Sequence, residues 1–137
     1  MNKALEILKD GGYTFIAVKG DEIRRSTLRG VAPIIELIDT EPQFLCGASV
    51  ADKVIGKAAA MLLYAYGVKE IYTPLISEKA LEYFENKSIK IAYDEKTERI
   101  INRDKTDMCP MEKCVLNTND EKEAETLIRN KIKVTAD

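Results

Sequence analysis

The side chains best suited to chemistry in this 137-residue chain are concentrated in two short segments. The first contains Ser49, Asp52, Lys53 and Lys57, which we predict to lie at the start of a helix. Free backbone N–H groups there favour an anion. Lysines at this end are repelled by the positive end of the helix dipole unless a bound anion compensates for the repulsion. We therefore predict that these four residues bind a small polar or anionic, nucleotide-like ligand. Alternatively, Asp52 caps the helix and both lysines lie on a solvated face.

The second segment contains Cys109, followed by Pro110 and Glu112. Proline is favoured at the first position of a helix, and a helix N-terminus lowers the pKa of a nearby thiol. Cys109 is thus a candidate nucleophile, with Glu112 as a candidate acid or base. This predicts an alternative function, a thiol-dependent transferase or sulfur carrier. In the other interpretation Cys109 is simply a small packed side chain.

Histidine is absent from the chain. Without it, one chain cannot form a Ser–His–Asp or Cys–His catalytic group, a His-ligated metal site or an imidazole proton shuttle. The three cysteines, Cys46, Cys109 and Cys114, lack C-x-x-C spacing, which argues against a disulfide framework and a zinc site. We therefore predict no metal and no cofactor. The free thiols indicate a reducing, cytoplasmic location.

The charge balance and the hydropathy pattern limit the partners. There are 21 Lys and Arg residues against 23 Asp and Glu residues, for a net charge of −2, so we expect no nucleic acid. The longest apolar stretch, 54–68, is too short for a membrane span and is interrupted by Lys57. A small molecule is the expected partner. A further hypothesis is a non-catalytic interaction module that forms a homodimer.

The predicted elements alternate between helices and strands. Ser49 and Asp52 have the spacing of a capping box, and residues 58–66 carry no charge, which predicts one buried central helix from Ser49 to Tyr66. The other predicted helices lie before Gly11, after Pro33, after Ser77, at 108–112 and after Thr118, and the predicted strands are 13–18, 22–28, 68–72, 89–93 and 98–102. This pattern indicates a single layered α/β domain, 1–137, with a sheet of about five strands.

Two motifs carry a resemblance to a known family. Gly47-Ala48-Ser49-Val50-Ala51-Asp52-Lys53, ahead of the alanine-rich helix, and Cys109-Pro110-Met111-Glu112 resemble an uncharacterised prokaryotic domain-of-unknown-function family. The resemblance implies a cytidine-deaminase-like fold, which is a three-layer α/β/α sandwich around a mixed sheet, and relatives of that fold suggest a homodimer. A more distant similarity to the formate dehydrogenase accessory sulfurtransferase supports the thiol alternative.

The resemblance also implies which deaminase residues have been replaced. Zinc deaminases begin their central helix with His or Cys, then Ala and Glu, and begin the next helix with Pro-Cys-x-x-Cys. This chain has Val50-Ala51-Asp52 and Pro74-Leu75-Ile76-Ser77-Glu78 at the matching places. The metal-ligand positions would then hold Val50, Leu75 and Glu78, and one carboxylate cannot replace three N or S ligands. The comparison excludes zinc-dependent deamination and implies a metal-free pocket beside Asp52.

Overall fold

The structure, a computed structural model, describes residues 2–28, 30–98, 114–115 and 117–136. Helices in this part of the chain are α1 (Asn2–Gly11), α2 (Ala32–Thr40), α3 (Lys57–Ala65), α4 (Glu78–Phe84) and α5 (Glu121–Ala136), with a 3-10 helix at Pro42–Leu45. Strands are β1 (Phe15–Lys19), β2 (Glu22–Ser26), β3 (Ser49–Asp52), β4 (Val54–Ile55), β5 (Glu70–Ser77) and β6 (Lys90–Thr97).

The six strands form one mixed sheet. Strand β1 is antiparallel to both β2 and β3, whereas β3, β4 and β6 are parallel to β5. Strand β4 continues β3 along β5 with the same register, after a bend at Lys53. The α/β class and the mixed sheet are therefore confirmed. Of the strand predicted at 98–102 only Glu98 is described, and the helix predicted at 108–112 lies outside the described residues.

The predicted start of the central helix is wrong. Residues Ser49–Asp52 form a strand that is buried along its whole length, because it lies between β1 and β5 with helices over both faces of the sheet. Central strands covered on both faces consist of continuous apolar residues, which periodicity does not distinguish from a buried helix. Helix α3 begins only at Lys57, after an extended Gly56. Ser49 and Asp52 therefore do not form a capping box.

Helices pack on both faces of the sheet. On one face, Ala4 and Leu8 of α1 contact Ile16 and Ala51. On the other, α2, α3, α4 and α5 cover a larger core that includes Phe15, Val50, Ile71 and residues 58–63 of α3. The predicted three-layer α/β/α sandwich is confirmed. Among the described helices, none has the length and apolar character needed to cross a membrane.

The topology brings three helix N-termini to one edge of the sheet. Helix α2 follows the carboxyl end of β2, α3 follows that of β4, and α4 directly follows β5. Since β2, β4 and β5 run in the same direction, their carboxyl ends share an edge. We call it the carboxyl edge. Ligands of open α/β sheets bind outside the carboxyl ends of the strands.

Candidate functional site

Asp52 is a buried acid at the bend between β3 and β4. It is the last residue of β3 and is only 5% exposed. Burial raises the pKa of its carboxyl to about 8, although hydrogen bonds from the backbone N–H groups of Val54 and Lys53 act in the opposite direction. Within the described part of the chain, Oδ2 has no hydrogen-bond partner. Most Asp52 side chains are therefore protonated at neutral pH and can donate a hydrogen bond.

Lys57 opens onto a polar cleft. It is the first residue of α3 and is 7% exposed, which is unusual for a lysine. Together with residues from α4, the following turn and the segment before α5, it lines a cleft of about 360 Å³. The other lining residues are Lys79, Glu82, Tyr83, Asn86, Lys87 and Asn119. We call this the lysine cleft.

Lys87 is held in the lysine cleft by uncharged groups. Its Nζ donates a hydrogen bond to the Tyr83 carbonyl oxygen at 2.9 Å. The same atom lies 4.0 Å from the centroid of the Tyr83 ring and 5.6 Å from that of Tyr64. The two rings pack edge to face with their centroids 6.0 Å apart. No carboxylate of the described residues forms an ion pair with Lys87.

The other charged groups of the lysine cleft have identified contacts. Lys79 forms an exposed ion pair with Glu82 at 3.5 Å. The Tyr83 hydroxyl donates to Glu121 Oε1 at 2.7 Å, which joins α4 to α5. Burial, with that hydrogen bond, raises the pKa of Tyr83, so the phenol stays neutral. The cleft thus presents three ammonium groups and one carboxylate among its described lining residues.

Comparison with known proteins identifies the family. The model of a family described as a domain of unknown function (DUF1893) matches residues 3–132. The chain belongs to the DUF1893 family. A solved structure of TM1506, a DUF1893 family protein from Thermotoga maritima, is similar with a TM-score of 0.83 and 32% sequence identity. The match covers 97% of this chain and 88% of that one. A search of curated proteins finds no match.

Membership of a domain-of-unknown-function family, as the motifs at Gly47 and Cys109 implied, is therefore confirmed. The deaminase-like detail of the fold and the likeness to a sulfurtransferase stay predictions. So do the cytoplasmic location, the homodimer and the lack of nucleic-acid binding.

The residue-by-residue comparison with zinc deaminases is not supported in this DUF1893 domain. Val50 and Asp52 lie in β3 and Leu75 lies in β5, so none of them begins a helix. Only Glu78 stands at a helix start, that of α4. The predicted replacement of metal ligands was therefore read from residues in the wrong elements. Within the described ranges, no group of three or more His, Cys, Asp or Glu side chains is placed to hold a metal ion.

The structure separates the predicted site residues. Asp52 and Lys57 are both buried, but strand β4 lies between them, and Lys53 is exposed in the bend between β3 and β4. Ser49 lies at the opposite end of β3, where its hydroxyl donates to Glu70 Oε1 at 2.6 Å. At about 3.3 Å per strand residue, it is roughly 10 Å from Asp52. Ser49 is thus not at the carboxyl edge.

The remaining predicted groups are the cysteines and Glu112. Cys109 and Glu112 lie outside the described residues. Cys46 is exposed and Cys114 is half-buried.

Sequence reasoning missed most of the lysine cleft. Lys79 lies in the first turn of a helix whose start was predicted from Ser77, so its position against the dipole was a weak signal. Lys87 and Asn119 offered no such signal, because they lie in turns between elements. They enter the cleft only through the packing of α4 against α3 and the start of α5.

Proposed function

We propose that this DUF1893 domain binds a small anionic ligand in the lysine cleft, without a metal ion. The single observation that carries the proposal is the burial of Lys57 at the start of α3, with its side chain lining the cleft. A bound anion would interact favourably with the Lys57 ammonium and with the N-terminal end of α3, in addition to the contact that Lys57 already makes. The cleft volume lies within the range of small-molecule sites.

The residues have distinct proposed roles. Lys57 attracts the anion directly, and the N-terminal end of α3 adds the favourable potential of its backbone N–H groups. Lys53, exposed in the bend between β3 and β4, adds attraction at longer range. Asp52 acts as a positioning residue, because its carboxyl accepts hydrogen bonds from the backbone of Lys53 and Val54 and so fixes the bend before β4, the strand that leads to Lys57.

The test is a thermal-shift screen at low salt with inorganic phosphate, nucleoside monophosphates and small dicarboxylates. A ligand at 100 times its dissociation constant stabilises the folded state by about 2.7 kcal/mol, which raises the melting temperature measurably. We expect Lys57→Met to abolish the shift, because methionine keeps the aliphatic stem and removes the charge.

The matched control is Lys69→Met, an exposed lysine at the opposite edge of the sheet, which should respond like the wild type. A screen without any stabilising anion would overturn the proposal. So would a shift that survives Lys57→Met in a folded variant. Cys109 and Glu112, on which the alternative thiol function depends, lie outside the described residues.

A further inference from the structure

We infer that strand β2 is an interface at which two copies of this chain pair in antiparallel orientation, around a two-fold axis at Ile23. Strand β2 lies at the end of the sheet, and its strand partner among the described residues is β1. An edge strand presents backbone N–H and C=O groups that a further strand can bind. The described lining of the lysine cleft contains no residue of β2, so this inference does not depend on the proposed ligand.

The hairpin register shows which backbone groups of β2 point outward. Lys19 and Glu22 are paired across a two-residue turn, and residues that flank such a turn exchange backbone hydrogen bonds with each other. Hydrogen-bonded and non-hydrogen-bonded pairs alternate along an antiparallel ladder, so the backbone of Arg24 is also bound to β1. The N–H and C=O groups of Ile23 and Arg25 are therefore directed away from β1, toward the outer edge.

The charge pattern of β2 is complementary to itself in one antiparallel register. Facing residues of an antiparallel pair point to the same side of the sheet, so a symmetric pair places one residue opposite its own copy. With Ile23 in that position, Glu22 lies opposite Arg24 and Asp21 lies opposite Arg25. The two-fold axis repeats both pairs. A register centred on Arg24 or Arg25 would instead bring like charges together, which destabilises a strand pair.

Asp21 and Arg25 have charge available for this contact. Both side chains are exposed, and neither forms an ion pair within the described part of the chain. The Arg25 guanidinium lies 5.7 Å from the centroid of the Tyr13 ring, a contact that orders the side chain and leaves its charge available. Ile23 lies between them and is half-buried, so pairing with its own copy removes further apolar surface from water.

Arg24 is already ordered at this edge. Its guanidinium donates two hydrogen bonds to the Glu41 carboxylate, at 2.7 and 2.8 Å, and lies 4.4 Å from the centroid of the Phe44 ring. The exposed Glu22 carboxylate is 3.2 Å from the same guanidinium. An ordered side chain loses little further entropy on association. Glu22 and Arg24 of the two copies can therefore form one network of alternating charges across the axis.

The decisive measurement is sedimentation equilibrium of the full chain over a wide range of concentrations at low ionic strength. We expect a reversible equilibrium between monomer and dimer, because one strand pair is a small interface. High salt should weaken the association, because exposed charges are screened. Arg25→Glu and Asp21→Arg should each weaken it by at least about tenfold, since either change places like charges opposite each other twice. Circular dichroism verifies that each variant is folded.

A mixture of the two variants tests the antiparallel register itself. In a heterodimer of Arg25→Glu with Asp21→Arg, every facing pair at these positions again combines opposite charges. The mixture should therefore dimerise about as tightly as the wild type, although each variant alone is largely monomeric. The matched control is Lys90→Glu, which reverses an exposed charge on β6 at the opposite edge of the sheet. It should dimerise like the wild type.

Amide hydrogen exchange gives a second readout that needs no variant. The Ile23 and Arg25 amides should exchange more slowly as the protein concentration rises, because dimerisation gives them hydrogen-bond partners. A chain that stays monomeric at every concentration overturns the inference. So does association that charge reversal leaves unchanged, or a mixture of the two variants that stays monomeric. Protection confined to β6 would place the interface at the other edge and would overturn it as well.

Discussion

The Asp52 carboxyl and the Thr73 hydroxyl occupy matching positions on neighbouring parallel strands, and each accepts the backbone N–H of the residue two positions further along. Asp52 follows Ala51 and Thr73 follows Tyr72, and those two are paired in the sheet. The Thr73 hydroxyl accepts from Leu75 N at 3.3 Å and donates to the Leu75 carbonyl at 2.9 Å. Asp52 accepts from Val54 but keeps one buried oxygen without a partner. The two neighbouring strands thus carry one side chain whose polar atoms are satisfied locally and one carboxyl that holds a proton.

The buried Asp52 makes stability depend on pH. Its pKa is about 8 in the folded chain against a reference value of 3.8, so the folded state holds a proton that the unfolded state releases. The stabilisation is complete below about pH 4 and is lost as the pH rises through about 8. We expect the free energy of unfolding to fall by a few kcal/mol over this range, at about 1.4 kcal/mol per pKa unit. Asp52→Asn should lack this decrease in urea denaturation at pH 5, 7 and 9.

Glu41 serves as a control because its pKa is shifted in the opposite direction. The hydrogen bond from Arg24 lowers the pKa of Glu41, so its contribution is present at neutral pH and is lost as the pH falls through the acid range. Glu41→Gln should therefore leave the decrease between pH 5 and 9 unchanged. Parallel pH profiles for the wild type and Asp52→Asn would contradict the assignment.

Alanine substitutions at Gly67 and Gly47 distinguish the cost of a strained backbone from the cost of a steric contact. Both have left-handed φ angles, +83° and +79°, so alanine at either position should cost about 1–2 kcal/mol. A Cβ at Gly67 would also lie 3.2 Å from Cys46 Sγ, whereas nothing lies within 4 Å of one at Gly47. We expect Gly67→Ala to be the more destabilising in chemical denaturation. The added Cys46→Ala substitution should relieve part of that excess, and no relief would show that the contact with sulfur is unimportant.

Ser77 determines where α4 begins. It is fully buried, and its side chain accepts a hydrogen bond from Ala80 N at 3.1 Å. Ser77→Ala should lower the free energy of unfolding by about 1–2 kcal/mol, as the loss of a helix cap does. Asp120, which accepts from Glu123 N at 2.9 Å in an exposed position, is the comparison. Asp120→Ala should cost less, because water can replace the exposed cap, and the reverse order would contradict this explanation.

Tyr83 links stability to the proposed ligand site. Tyr83→Leu removes the ring that supports Lys87 and the hydroxyl bound to Glu121, so an anion that binds in the lysine cleft should bind more weakly to this variant. Tyr66→Leu is the matched control, since the Tyr66 hydroxyl also bonds to α5, through Glu125 at 2.6 Å, but Tyr66 does not line the lysine cleft. Calorimetric titration should show normal binding for Tyr66→Leu. Equal losses in both variants would indicate general destabilisation.

Elements with local signals were predicted correctly. The β1–β2 hairpin turns at Gly20, α2 starts beside Pro33, and Ser77 caps α4 as expected. The error at Ser49–Asp52 has a physical reason. Small and β-branched residues without charges fit a buried helix and a buried strand equally well. The segment forms a strand because β1 and β5 provide hydrogen-bond partners for its backbone on both sides.

The candidate site was predicted only in part. Asp52 and Lys57 stood out because of their position relative to the buried helix. Lys57 lines the lysine cleft, whereas Asp52 is buried but is not among the described lining residues. Ser49 was selected on the assumption of a helix, and its place at the other end of a strand removes it from the carboxyl edge. Lys87 could not be predicted as a site residue from the sequence. Its position in the cleft depends on contacts with two tyrosine rings that only the packing brings together.

The amino-acid sequence alone determined the α/β class, the family, the exclusion of histidine chemistry, the hairpin turn at Gly20 and the helix cap at Ser77. These properties depend on composition or on residues close together in the chain. Only the tertiary structure decided that Ser49–Asp52 is a central strand, that Asp52 retains its proton and that lysines from two helices and a turn share one cleft. Hydrogen-bond partners, desolvation and charge excess all arise between residues that are distant in sequence, so no local pattern specifies them.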